Sequence, residues 1–180
     1  MPRSRNAGGR PPGQVPRTPP GPHTGPARVV VVDDHPIVRK GLTQLLNEQP
    51  DLAVCGEADS PQAALALIQA ERPDIALVDL SLGQESGLEL VKKVAASYAE
   101  VRLLVLSMRD EMLYAERALQ AGASGYIMKN EAVRDLLTAV RRVLSGKTYV
   151  SRPPDIRPRA GPLRSRERAT ADIQGDGRDP

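Results

Sequence analysis

The feature that most constrains the fold is an alternation of short apolar runs with amphipathic stretches. Apolar runs typical of strands occupy 28–32, 52–57, 74–79, 101–106 and 124–128. Stretches with aliphatic residues at helical spacing follow them, at 36–48, 61–71, 86–98, 110–121 and 131–145. Five consecutive βα units predict an α/β fold, in which a parallel sheet is covered by helices on both faces.

The ends of the chain have a different composition. Residues 1–27 contain eight prolines and four arginines, with no acidic residue and no apolar periodicity. Residues 151–180 are also interrupted by prolines and end in a polar sequence. Such segments cannot bury enough apolar surface to fold. We therefore predict a disordered arm over 1–27, one folded domain over 28–150, and a disordered tail over 151–180.

Charge and composition exclude several classes of function. The central region 28–150 carries fourteen basic and seventeen acidic residues, so the net charge of +3 comes from the tails. Nucleic-acid binding by the folded part is therefore not indicated, although the basic tails could attract polyanions weakly. The chain has no Trp and no Phe, which predicts an aliphatic core and argues against aromatic stacking platforms for bases.

Cysteine content and hydropathy bear on the compartment. Cys55 is the only cysteine, which excludes an intrachain disulfide and a cysteine-rich metal site. No apolar stretch approaches the roughly 18–20 residues of a membrane span, and the N-terminus lacks the hydrophobic segment of a secretory signal. These features predict a cytoplasmic protein without a membrane partner.

Charged side chains follow three of the predicted strands. Asp33 and Asp34 come directly after the first strand, Asp79 closes the third, and Lys129 follows the fifth. The carboxyl ends of parallel strands meet at one edge of the sheet, where open α/β sheets place their sites. We therefore expect three carboxylates and one ammonium to lie close together.

Such a cluster suits a divalent cation and a phosphoryl group. Mg²⁺ prefers oxygen ligands and takes one or two carboxylates in most proteins. Asp33 and Asp34 alone could instead cap the first helix, and Asp79 alone could bond a loop amide. Within the cluster, metal binding is favoured, and Asp79 is either a third ligand or a nucleophile that attacks a phosphoryl group.

Two further side chains fit phosphoryl binding. The ammonium of Lys129 can pair with a phosphoryl oxygen. Ser107 ends the fourth predicted strand, and its hydroxyl can donate to another such oxygen. Each has an ordinary alternative, since surface lysines are usually solvated and serines often form turns.

Four segments together resemble the receiver domain of bacterial two-component response regulators, in the form of the NarL/FixJ (LuxR-type) group. These segments are 31–42, 73–82, 104–107 and 121–129, in the same order and spacing. The resemblance covers about 28–150. It implies a flavodoxin-like (βα)5 doubly wound parallel sheet with strand order 2-1-3-4-5.

The resemblance also implies roles for the acids. Asp79 would accept a phosphoryl group from a sensor histidine kinase in a phosphorelay. Asp34 would bind Mg²⁺ directly and Asp33 through water, with Asp79 and the backbone carbonyl of Ser81 as further ligands. The protein would not be an enzyme beyond its own phosphorylation and dephosphorylation at Asp79.

The resemblance further implies a conformational switch. Ser107 and Lys129 would hold the phosphoryl group, and Tyr126 would occupy the aromatic switch position. Phosphorylation would then remodel the surface of the fourth helix, fifth strand and fifth helix, and could produce a homodimer. That surface includes Arg109, Tyr114, Arg117 and Arg134.

Two other interpretations stay open. Regulators of this group usually continue into a helix-turn-helix domain, and 162–168 resembles its start, so the chain could be a truncated DNA-binding regulator. Residues 151–180 are too short and proline-rich for that domain, and we expect no specific DNA binding from the chain as it stands. The last interpretation is a phosphohydrolase with an aspartate nucleophile. Such enzymes need a second carboxylate two residues after the nucleophile, where this chain has Ser81.

Overall fold

The structure, a computed structural model, describes residues 25–83, 85–108 and 112–151. The strands are β1 Ala27–Val32, β2 Leu52–Ala58, β3 Ile75–Asp79, β4 Ser81–Leu82, β5 Glu85–Ser86, β6 Arg102–Ser107, β7 Gly125–Met128 and β8 Tyr149–Val150. The helices are α1 Pro36–Asn47, α2 Pro61–Glu71, α3 Gly87–Ser97, α4 Met112–Gln120 and α5 Lys129–Leu144. None of these helices is both long and apolar enough to cross a membrane. Nearly all of the predicted arm and tail lies outside the described residues.

Six strands form one parallel sheet in the order β2-β1-β3-β6-β7-β8. The first five are the predicted strands, in the predicted order 2-1-3-4-5, so the flavodoxin-like arrangement is confirmed. The sixth strand, β8, was not predicted. It covers the free edge of β7. Ser151 extends this contact, because its N–H donates to the Tyr126 carbonyl and its hydroxyl oxygen accepts a hydrogen bond from the Met128 N–H.

Both faces of the sheet are buried, as the unbroken apolar runs predict. Side chains alternate along each strand, so that Val29 and Val31 face α1 and α5, whereas Val30 and Val32 face α2, α3 and α4. The core between the sheet and helices α1 and α5 includes Leu46, Leu77, Leu104, Ile127, Leu136 and Val140. The core on the opposite face, under α2, α3 and α4, includes Ile68, Val78, Leu90, Val94, Val105 and Tyr126. This arrangement confirms the doubly wound fold.

Prolines fix where two helices begin. Pro36 and Pro61 open α1 and α2, because a first-turn proline lacks only an N–H that has no partner inside the helix. His35 and Ser60 stand at the N-cap positions, but neither side chain makes a capping hydrogen bond.

One predicted boundary is wrong. The fifth helix was predicted to begin at 131, and α5 instead begins at Lys129, directly after the strand. No proline or glycine separates strand from helix here. The chain therefore turns directly from the extended Met128 into the helix, which places Lys129 at the helix N-terminus.

A short irregularity occurs at the edge of the sheet. Val29 pairs with Val54 and Val30 pairs with Gly56, so Cys55 is the extra residue of a bulge. Its thiol donates to the Val29 carbonyl oxygen at 3.4 Å. Burial raises the pKa of this thiol, which disfavours the reactive thiolate.

The central strands should be the main source of stability. Leu104 is fully buried between the sheet and α5, and we expect Leu104→Ala to lower the free energy of unfolding by about 2–5 kcal/mol. The matched control is Leu113→Ala on α4, where the side chain is half exposed, and we expect a change within about 0.5 kcal/mol. Denaturant titration measures both, and equal losses would contradict the described core.

Candidate functional site

The parallel pairing brings the ends of four strands to one edge of the sheet. Asp33 directly follows β1, and its N–H donates to the Ala58 carbonyl at 3.0 Å. Asp79 is the last residue of β3, and Ser107 is the last residue of β6. Lys129 follows β7. The structure therefore places the predicted site residues at the same edge.

Lys129 joins two of the three acids. Its Nζ lies 2.7 Å from Asp33 Oδ2 and 2.7 Å from Asp79 Oδ2. The Asp33 and Asp79 side chains are 0% and 2% exposed, and that of Lys129 is 10% exposed. The alternative of a solvated surface lysine is thereby excluded.

Burial and neighbouring charge shift the pKa values of Asp79 and Lys129 in opposite directions. Burial raises the pKa of the Asp79 carboxyl, and the ammonium of Lys129 offsets this only in part. Burial by itself would lower the pKa of Lys129, but its hydrogen bonds to Asp33 and Asp79 outweigh burial and raise it. Lys129 is therefore protonated at neutral pH, and the Asp79 charge is incompletely balanced.

Backbone amides bind most of the remaining carboxylate oxygens. The His35 N–H donates to Asp33 Oδ1 at 2.8 Å, and the Ser81 N–H donates to Asp79 Oδ1 at 3.2 Å. The Gly83 N–H donates to Asp34 Oδ2 at 2.8 Å. Asp79 therefore accepts a hydrogen bond from a backbone amide, as the alternative interpretation of this residue predicted. It also accepts one from Lys129. Neither Asp33 nor Asp34 is the N-cap residue of α1.

One carboxylate oxygen has no hydrogen-bond donor among the described residues. This atom is Asp34 Oδ1, which is buried. Single ligand atoms from Asp33, Asp34, His35 and Asp79 all lie within 4.8 Å of one another. Three carboxylates and one ammonium leave an excess of negative charge, and a buried oxygen without a donor is costly. The residues present therefore fit a divalent cation.

A small hairpin and a glycine hold the end of β3 in place. β4 and β5 pair antiparallel immediately after Asp79, and Gly83 in their turn has a φ of +58°, a conformation that suits glycine. Gly87 begins α3 against the backbone of β3, where a Cβ atom would lie 2.1 Å from the Asp79 carbonyl oxygen. The sequence did not predict this close approach.

The predicted switch residues are buried. Ser107 is 1% exposed and lies opposite Met128 in the β6–β7 pairing. Tyr126 lies opposite Val105 and is 2% exposed. Its ring belongs to the core under α2, α3 and α4. In this structure Tyr126 is therefore already packed inside the domain.

The predicted switch surface is described only in part. On α4, the guanidinium of Arg117 lies 6.0 Å from the centre of the Tyr114 ring, at the limit of a cation–π contact. Arg134 is exposed on α5. Arg109 lies outside the described residues.

Two residues at the site were not identified from the sequence. His35 follows the acidic pair, and its Nδ1 lies 3.2 Å from Asp33 Oδ1 and 2.8 Å from Asp34 Oδ1. Arg39 donates from its guanidinium to the Asp33 carbonyl and also pairs with Glu57 at 3.2 Å. In the sequence, the signal that could have placed them at the site was their position, one and five residues after Asp34.

Substitution of Gly87 tests the packing under Asp79. Because a methyl group there would overlap the Asp79 carbonyl, Gly87→Ala should destabilise the domain by about 1–3 kcal/mol. The matched control is Gly41→Ala within α1, where a Cβ atom meets nothing within 4 Å. This control should stabilise the domain by up to about 1 kcal/mol. Thermal unfolding measures both, and a neutral Gly87→Ala would contradict the contact.

Substitution of Lys129 tests the bridge between the acids. Lys129→Met should lower the free energy of unfolding at neutral pH by about 1–3 kcal/mol, because it leaves buried carboxylates without their donor. A raised folded-state pKa means that this stabilisation is complete below the unfolded value, about 10.4, and is lost as pH rises through the folded value.

The difference between Lys129→Met and the unaltered chain should therefore be constant from neutral pH to about pH 10 and shrink above it. The control is Lys147→Met, at an exposed lysine, which should show little difference at any pH. Denaturant titrations across the pH series provide the measurement, and a difference that grows at alkaline pH would contradict the bridge.

Comparison with known proteins agrees with this geometry. The family model described as the response regulator receiver domain matches residues 29–141. The oxygen regulatory protein NreC of Staphylococcus epidermidis is 40% identical over 124 residues. That alignment covers 68% of this chain and 57% of the relative. The chain thus spans little more than half the length of this curated relative.

Solved structures show the same fold. A LuxR-family two-component response regulator from Aurantimonas sp. has a TM-score of 0.68 at 36% identity, covering 73% of this chain and 93% of that one. The signal receiver domain of the NarL regulator from Mycobacterium tuberculosis has a TM-score of 0.65 at 36% identity, covering 68% and 99%.

A third structure is the isolated receiver domain of RcsB from Salmonella enterica with the phosphomimetic BeF3⁻. It has a TM-score of 0.65 at 25% identity, covering 71% of this chain and 94% of that one. The matched family model spans the sheet edge with its acids and lysine. This chain therefore belongs to the response regulator receiver domain family.

Proposed function

We infer that the chain acts in two-component signalling by accepting a phosphoryl group on Asp79. The observation that supports this most strongly is the buried Asp79 carboxylate, held at the sheet edge by Lys129 and flanked by Asp33 and Asp34. A carboxylate whose pKa burial raises, and whose charge is incompletely balanced, is a favourable nucleophile for phosphorus. The receiver structure with a phosphomimetic supports the same reading.

The acidic residues would hold Mg²⁺, with Asp34 as a direct ligand and Asp33 acting through water. Asp79 and the Ser81 carbonyl would complete the protein ligands. Mg²⁺ would reduce the repulsion between the Asp79 carboxylate and an incoming phosphoryl group. The unsatisfied Asp34 Oδ1 is the atom that most needs such a cation.

In the transfer, an Asp79 oxygen forms a bond to phosphorus while the bond from phosphorus to the donor's imidazole nitrogen breaks. The histidine of a sensor kinase is the proposed donor, and it takes up a proton as the neutral imidazole leaves. Hydrolysis of the acyl phosphate by water would return the carboxylate. Ser81 lies two residues after Asp79, where a phosphohydrolase with an aspartate nucleophile would need its second carboxylate. The chain is therefore not proposed to hydrolyse other phosphate esters.

Lys129 and Ser107 would detect the phosphoryl group. The modification adds roughly −1.5 to −2 charge and three acceptor oxygens. Lys129 now divides its donors between Asp33 and Asp79, and the new oxygens would draw it toward Asp79. Ser107 ends the neighbouring strand β6 and would donate its hydroxyl to another phosphoryl oxygen.

The output would be a shift in how β7 and its neighbouring helices pack. In one form of such a switch, the Tyr126 ring would enter space that Ser107 vacates. Because the Tyr126 ring is already buried, phosphorylation would act by holding this packed arrangement, at the expense of arrangements in which the ring leaves. The surface of α4, β7 and α5 would present the result to a partner, including a second copy of the chain.

The cellular setting follows from the same inference. A sensor histidine kinase is the proposed upstream partner, and the cytoplasm is the proposed compartment. The Aurantimonas relative is a LuxR-family regulator and NreC is named a regulatory protein, so control of transcription is the proposed downstream purpose. The described residues contain no DNA-binding element, and the receiver would exert that control through protein contacts.

Phosphorylation is tested by intact mass after incubation with acetyl phosphate and Mg²⁺. The unaltered chain should gain one phosphoryl group that is labile in both acid and base, and Asp79→Asn should gain none because the amide is not nucleophilic. The matched control is Asp51→Asn, at an exposed acid that pairs with Arg141, which should be labelled normally. Undiminished labelling of Asp79→Asn would refute the assignment.

A further inference from the structure

Among the described residues, His35 is the potential metal ligand of the sheet edge that has no role in the proposed phosphorylation. Its Nδ1 lies 2.8 Å from Asp34 Oδ1, 3.2 Å from Asp33 Oδ1 and 4.0 Å from Asp79 Oδ2. The imidazole thus approaches all three acids. Its side chain is 62% exposed, so an ion can reach it from solvent.

The contact with Asp34 has the geometry of a chelating pair. Asp34 Oδ1 is buried and has no hydrogen-bond donor among the described residues, although His35 Nδ1 is close to it. Two ligand atoms 2.8 Å apart, each about 2.1 Å from a metal ion, subtend about 84° at the metal, near the octahedral right angle.

The other oxygens at this edge already have partners. Asp33 accepts from Lys129 and the His35 N–H, and Asp79 accepts from Lys129 and the Ser81 N–H. The second oxygen of Asp34 accepts from Gly83. Among the described residues of this edge, Asp34 Oδ1 is therefore the carboxylate oxygen that a cation could bind without displacing a hydrogen bond, and His35 Nδ1 lies beside it.

The backbone restrains His35 in this position. Its N–H is bound to Asp33 Oδ1, and Pro36 follows it with a fixed φ at the start of α1. To ligate a metal, Nδ1 must carry no hydrogen, so the imidazole would carry its proton on Nε2. That is the ordinary neutral state of a metal-binding histidine.

We propose that His35 Nδ1 is a ligand of the acidic site, so that this chain binds first-row transition cations such as Mn²⁺ or Co²⁺ in preference to Mg²⁺. Mg²⁺ favours oxygen ligands, whereas an imidazole nitrogen favours transition metals. The proposal rests on the proposed metal site of the receiver and assigns that site a cation preference.

Pulsed electron paramagnetic resonance of bound Mn²⁺ tests for the nitrogen directly. The full chain loaded with Mn²⁺ should show modulation from a coordinated ¹⁴N nucleus. His35→Ala should abolish that signal. The chain has only two histidines, so His23→Ala is the matched control and should retain it. Absence of the nitrogen signal in Mn²⁺-loaded unaltered protein, or its loss only in His23→Ala, would overturn the proposal.

Calorimetric titration with Co²⁺ and with Mg²⁺ provides the second readout. Loss of the nitrogen ligand should weaken Co²⁺ binding in His35→Ala by at least about tenfold, the lower end of the loss when a ligand's supporting partner is removed. Mg²⁺ binding should change much less. His23→Ala should match the unaltered chain for both ions. An unchanged ratio of Co²⁺ to Mg²⁺ affinity in His35→Ala would overturn the proposal.

The two readouts separate this inference from the proposed function. Labelling of the unaltered chain at Asp79 by acetyl phosphate with Mg²⁺ would support the proposed phosphorylation even if no nitrogen signal were found. Failure of Mn²⁺, Co²⁺ and Mg²⁺ all to bind would overturn both the cation preference and the metal-dependent mechanism.

Discussion

The site depends on one interaction, the pair of hydrogen bonds from Lys129 to Asp33 and Asp79. It joins residues at the carboxyl ends of three different strands, and it places a positive charge between two carboxylates that are almost fully buried. Burial raises the pKa of the Asp79 carboxyl, and the bridge from Lys129 opposes that rise. Three carboxylates and one ammonium give the cluster an excess of negative charge, which calls for a cation.

The fold supplies the geometry for that interaction. Because β1, β3, β6 and β7 run parallel, their last residues meet at one edge, and burial on both faces fixes the register of each strand. The end of β3 is fixed further by the β4–β5 hairpin and by Gly87, which packs directly on the Asp79 backbone. Small shifts in this region would therefore move the nucleophilic carboxylate itself.

Sequence patterns predicted most of this fold and which charged side chains meet at the sheet edge, because long apolar runs and strand-end charges are local signals. They could not predict β8 or the β4–β5 hairpin, whose strands of two residues depend on tertiary hydrogen bonds. The nearness of His35 Nδ1 to Asp34 Oδ1 depends on a side-chain conformation that no spacing encodes. The buried position of Tyr126 also required the packed structure, since its place in β7 allows either orientation.

The central claim is that the side-chain carboxylate of Asp79 accepts the phosphoryl group. It is tested most directly by reducing the phosphorylated protein with borohydride, which converts an aspartyl phosphate into homoserine, and by locating that residue through peptide mass spectrometry. The account predicts homoserine at position 79 alone, with Asp33 and Asp34 unchanged. Homoserine at another aspartate, or none in a protein that carries phosphate, would contradict it.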